Sequence, residues 1–141
     1  MSGQRSDVHE LSDGGFCNLN DPETTQGLAK GIEWHVEHWA YLLAKLKATP
    51  EAGSNLLANL AAVFTFEGGH GLDPADGRAV SAHSTENMGM LVAGGAGGLK
   101  GGLHLKATNL HPANVFLTAL RAVGYSSNTL GEISGEVPGL R

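Results

Sequence analysis

Residues 59–66 read Asn-Leu-Ala-Ala-Val-Phe-Thr-Phe, and Glu67-Gly68-Gly69-His70 follows directly. A short apolar run with β-branched and aromatic members, ended by glycines, predicts a buried strand. Working back from it, Asp21-Pro22-Glu23 has the form of a helix start, with Asp as N-cap and Pro at the first helical position. Ile32, Val36, Trp39, Leu43 and Leu46 then recur at helical spacing, which predicts one helix over residues 22–48. Lys45 and Lys47 suit its C-terminal end, and Thr49-Pro50-Glu51-Ala52-Gly53 stops it. Working forward, residues 68–77 read as a glycine-rich loop and residues 88–93 as a second strand. Gly94-Gly95-Ala96-Gly97-Gly98 comes next, a run able to approach another backbone closely. Residues 103–106 have the pattern of a third strand. Residues 109–123 predict a second helix with Leu110, Val115, Leu117, Leu120 and Val123 inward, and Gly124 fits its C-cap. The expected class is α/β: a small sheet packed by a long N-terminal helix and a C-terminal helix, in one domain over 1–141. Residues 1–21 read as a loop-rich lead-in and residues 126–141 as a polar tail.

Bulk properties narrow the function. The 21 glycines are about twice the usual share, and they cluster as expected of sharp loops. The net charge of −5 argues against a nucleic-acid partner, which needs clustered Lys and Arg. No apolar run approaches membrane-spanning length, and no signal stretch opens the chain, so no membrane is expected and the cytoplasm is the default compartment. Cys17 is the single cysteine, which excludes an internal disulfide.

Three places concentrate side chains able to hold a metal: Asp7-Val8-His9, Glu67-Gly68-Gly69-His70 at a strand end, and Ala82-His83-Ser84 before the next strand. Open α/β sheets place ligands outside strand carboxyl ends, where Glu67 and His70 stand. His35 and His38, three apart on the first helix, form either a metal pair or the edge of an aromatic interface with Trp34 and Trp39. There is no His-Glu-x-x-His, no nucleophile elbow and no Walker ending after Gly98. The glycine run therefore reads as structural, and His104 and His111 as surface or packing residues.

The order of these features resembles the C-terminal portion of the alkaline phosphatase superfamily. There, an Asp and a His precede a long helix, a strand ends in an acid and a His, and a His-Thr or His-Ser step leads to a strand and a Gly-rich turn. Here the series reads Asp7 and His9, the helix over 22–48, Glu67 and His70, His83-Ser84, Leu91-Val92-Ala93-Gly94-Gly95 and the last helix. Trp34-His35-Val36-Glu37 and Pro112-Ala113-Asn114 most resemble an uncharacterised bacterial branch of that superfamily, a domain of unknown function. Asp7 and His9 are two apart where the superfamily spaces them three or four. Glu67 and His70 are three apart where it has adjacent Asp-His.

The resemblance implies a divalent ion, zinc by its mixed N and O ligands, held by Asp7, His9, Glu67 and His83, with His70 as acid/base or further ligand. It implies a metal-dependent hydrolase of phosphate esters. The superfamily's nucleophile-bearing N-terminal part has no counterpart in these residues, so a metal-bound water would attack and di-, tri- or activated esters would be favoured. The alternative is a non-catalytic metal-binding or oligomerisation module. Either way a homo-oligomer, dimer or larger, is expected, with the Trp34–Trp39 face as its contact.

Overall fold

A computed structural model describes residues 22–72 and 79–141. Asp7, His9, Cys17 and the Asp21 cap lie outside the described residues. The chain divides into two compact units, Met1–Leu42 and Leu43–Arg141, and the boundary falls within the first helix. The described residues mix helix with small antiparallel sheets, each of two strands. No described helix is long and apolar enough to cross a membrane.

Helix α1 spans Pro22–Ala48, as its apolar spacing predicts. Of the expected stripe, Val36, Trp39, Leu43 and Leu46 are half-buried, whereas Ile32 is exposed. Lys45 and Lys47 occupy the last turn, where the helix dipole favours cations. Thr49 Oγ1 closes the helix by donating to the Lys45 carbonyl at 2.8 Å. The chain then turns tightly through Ala52 and Gly53, both at positive φ, between β1 (Pro50–Glu51) and β2 (Ser54–Asn55). That is the conformation a two-residue hairpin needs.

The strand expected over 59–66 is shorter. Asn55 Oδ1 accepts from the Ala58 N–H at 3.0 Å and caps a 3₁₀ turn over Leu56–Asn59. A side chain that satisfies the backbone locally competes with a sheet ladder, so extended structure starts only at β3 (Ala62–Thr65). The stretch read as a loop after Phe66 is instead a hairpin of β4 (Gly69–Leu72) and β5 (Ala79–Ser84). Its irregular register hides the alternation that marks a strand in sequence. β6 (Met90–Ala93) returns antiparallel to β3, with Val63 opposite Val92 and Phe64 opposite Leu91. Residues 103–106 are not a strand. Leu103, His104, Leu105 and Lys106 alternate, but among the described residues no strand pairs with them, and all four are exposed.

The glycine run does bring backbones together. Gly94 has φ +119, and a Cβ there would overlap the Leu60 carbonyl. Gly97 has φ +54 and faces the backbone of Ala122. The Gly95 and Ala96 N–H groups donate to the Leu57 and Leu60 carbonyls. The run thereby ties β6 both to the 3₁₀ turn and to helix α2 (Pro112–Ala122).

Helix α2 departs most from expectation. Its buried positions are Asn114, Leu117, Thr118, Ala119 and Ala122, while Leu120 and Val123, expected inward, are exposed. The polar residues are buried because they hold the C-terminal segment. Asn114 Nδ2 donates to the Ser134 and Gly135 carbonyls, each at 2.8 Å. Thr118 Oγ1 donates to the Asn114 carbonyl at 2.7 Å and accepts from the Val137 N–H at 2.8 Å. Residues 126–141 are therefore not a free polar tail. They form a hairpin of β7 (Thr129–Leu130) and β8 (Ile133–Ser134) and carry Val137 and Leu140 into the core. That core joins them to Ala96, Leu99 and Ala122, with Ala61, Val92 and Val115 packed around. Glu136 closes the outside, bonded to Arg121 Nε at 2.6 Å and to Arg141 Nε at 2.8 Å. Gly124 follows the helix at φ +98, as a C-terminal glycine should.

Candidate functional site

The β4–β5 hairpin carries two of the residues that the sequence marks for chemistry, His70 and His83, and Glu67 stands just before it. Gly69 pairs with Ser84, so His70 and His83 each lie one residue in from that pair on adjoining strands. Thirteen positions apart in sequence, they become backbone neighbours because the hairpin folds between them. Glu67 is exposed just before β4. At the open end of the hairpin the Glu86 N–H donates to Ser84 Oγ at 3.0 Å, which shapes the turn after β5. A side chain at Gly69 would run into the Glu86 carbonyl, so this glycine lets the start of β4 lie against that turn. Glu67, His70 and His83 therefore belong to one local element. Asp7 and His9, the other two expected ligands, lie outside the described residues. Among the described residues no group of three or more His, Cys, Asp or Glu side chains is placed to hold an ion.

The histidines of α1 have a different setting. His35 Nδ1 lies 2.7 Å from the Gly31 carbonyl and His38 Nδ1 lies 2.8 Å from the Trp34 carbonyl. A carbonyl only accepts, so both Nδ1 atoms donate and both Nε2 atoms keep their lone pairs in the neutral ring. The Trp34 ring lies 5.0 Å from the His35 ring, edge-on, and 4.0 Å from the His38 ring. These three side chains make an exposed aromatic and imidazole cluster on one helix.

His111, read from sequence as a surface or packing residue, has a defined structural task. Its Nδ1 accepts from the Ala113 N–H at 3.1 Å, while its own N–H donates to Asn114 Oδ1 at 2.9 Å. It is thus the N-cap of α2, with Pro112 at the first helical position. Histidine is an uncommon cap, and nothing in its spacing announces the role.

No family model, curated protein or solved structure matches this chain.

Proposed function

We propose that the β4–β5 hairpin holds a divalent metal ion and that the chain serves hydrolysis of phosphate esters. The observation that supports this reading is the hairpin register. The resemblance assigns Glu67, His70 and His83 to one centre, and the register brings His70 and His83 onto adjoining strands, with Glu67 two residues before β4. Two imidazoles and two carboxylates, from His9, His83, Asp7 and Glu67, form a mixed N and O donor set of the kind zinc accepts. A bound ion would supply Lewis-acid polarisation of an ester oxygen and activation of water. Glu67 and His83 would hold the ion together with Asp7 and His9, and His70, on the strand beside His83, would serve as acid/base or as a further ligand.

The test is metal analysis of the purified protein, followed by turnover of aryl phosphate mono-, di- and triesters before and after chelation. The expected result is zinc that co-purifies, with diester turnover lost on chelation and restored by zinc. His83→Ala should lower both metal retention and turnover by about tenfold or more, the usual cost of losing a ligand or its support. Protein that retains no metal and shows no chelator-sensitive turnover would remove the reading. Metal without turnover would leave a metal-binding module.

A second reading, an oligomerisation module, is favoured by α2. Phe116, Leu120 and Val123 form an exposed stripe, with Val123 56% accessible, along a shallow apolar cleft of about 220 Å³. Apolar faces of this kind mark association surfaces. Light scattering should then give a dimer or larger, and Leu120→Glu should shift the protein toward monomer. A wild-type monomer at all concentrations would remove this second reading.

A further inference from the structure

A separate open cavity of about 950 Å³ lies between β6, the irregular segment over residues 100–111 and the start of α2. That volume falls within the range of about 300–1,000 Å³ typical of small-molecule sites. All of its lining belongs to the unit Leu43–Arg141. Its walls are of two kinds. Met90, Leu103 and Leu105 present apolar surface, and the two leucines are 50% and 43% exposed. Lys100, His104, Lys106 and His111 present nitrogen donors. Glu86 is the one carboxylate among the described lining residues, beside two lysines, in a chain whose net charge is −5. Positive charge is concentrated here against the balance of the whole molecule.

Two of the donors are fixed by hydrogen bonds. Lys100 Nζ donates to the Arg141 backbone oxygen at 3.1 Å, which positions the ammonium and leaves it further protons to donate. His111 Nδ1 is occupied as an acceptor by the α2 cap, so its ring proton sits on Nε2 as a donor. The α2 cap already uses the first N–H groups of the helix, so the site rests on side chains rather than on the helix end. Along the segment, Leu103-His104-Leu105-Lys106 sets an apolar residue beside a basic one twice in succession.

We infer that this cavity binds a single-chain organic anion, with a phosphate, sulfate or carboxylate head at the lysine and histidine side chains and an apolar body against Met90, Leu103 and Leu105. A bare inorganic anion would leave the leucines wet, and an uncharged apolar molecule would leave the lysines unmatched. Only a molecule with both parts satisfies the whole lining. The inference is independent of the metal reading, because it uses none of Glu67, His70 or His83.

Calorimetric titration of the full chain with decyl phosphate, below its micelle concentration, tests it. Inorganic phosphate, decanol and anionic phosphatidylglycerol vesicles serve as comparisons. Decyl phosphate should bind saturably, and inorganic phosphate and decanol each about tenfold more weakly or worse. Lys106→Glu should weaken decyl phosphate by about tenfold, and Leu105→Ser should do so through the apolar half. Should either variant fail to fold, added salt should weaken wild-type binding of decyl phosphate but not of decanol. Decanol or inorganic phosphate binding as tightly as decyl phosphate would overturn the inference, as would binding unchanged by both folded variants. Vesicles that bind where monomeric decyl phosphate does not would overturn it in favour of a membrane surface.

Discussion

Gly94→Ala is expected to destabilise the unit Leu43–Arg141 by roughly 3–6 kcal/mol, enough to leave much of it unfolded at room temperature. Two costs combine. The backbone at Gly94 has φ +119, a conformation that residues with a side chain rarely adopt. The added Cβ would also overlap the Leu60 carbonyl, with the Leu60 carbonyl carbon and Ala61 Cα close behind. These are backbone atoms and cannot rotate away. Relief would require separating the glycine run from the 3₁₀ turn, which breaks the bonds from Gly95 to Leu57 and from Ala96 to Leu60. Gly89→Ala is the matched control, because its φ is unexceptional and nothing lies within 4 Å of the new Cβ. Its urea midpoint should stay within about 0.5 kcal/mol of wild type when converted through the slope. Equal midpoints for both variants would show that the glycine run does not pack where it is described.

Asn114→Ala is expected to cost about 2–4 kcal/mol and to release the C-terminal segment before the rest unfolds. The side chain donates to the carbonyls of Ser134 and Gly135 and accepts from the His111 N–H. Alanine leaves all three without this partner and empties a position that is only 4% exposed. Neighbouring Thr118 cannot substitute, since its hydroxyl already serves the Asn114 carbonyl and the Val137 N–H. Asn114→Asp separates the roles. It keeps the acceptor for His111 but points a carboxylate at two carbonyls, so it should be at least as damaging as alanine. Hydrogen exchange at the Val137 amide is the direct readout. Its protection should fall in both variants well before that of Ala119, whose amide lies within α2. Unchanged protection at Val137 would mean that the segment is held by its apolar residues alone.

The loss would reach the cavity as well. Lys100 bonds to both the Leu140 and Arg141 backbone oxygens, so freeing the C-terminal segment frees a cation of the lining. Stability of the tail and anion binding should therefore decline together in Asn114 variants, while metal retention at the β4–β5 hairpin should be affected less.

Local pattern carried the helices. The apolar spacing from Ile32 to Leu46 and the Pro22 start determined α1 over Pro22–Ala48, and Gly124 marked the end of α2. These are effects of neighbours within a turn or two, which a linear reading can see. The glycine run from Gly94 to Gly98 was also legible as a close approach, although not what it approaches. Tertiary structure decided the rest. Asn55 shortened the expected strand through a side-chain bond that competes with the ladder. The β4–β5 hairpin was hidden in a glycine-rich stretch by its irregular register, and only the folded hairpin makes His70 and His83 neighbours. Leu103 to Lys106 has the alternation of a strand, but among the described residues no strand lies beside it to supply the ladder. On α2, composition pointed to Leu120 and Val123 as the inner face. The chain instead buries Asn114 and Thr118, because the segment they hold lies about twenty residues further on. A polar residue reads as solvent-facing until its partner is known, and partners that distant in sequence are set by the fold.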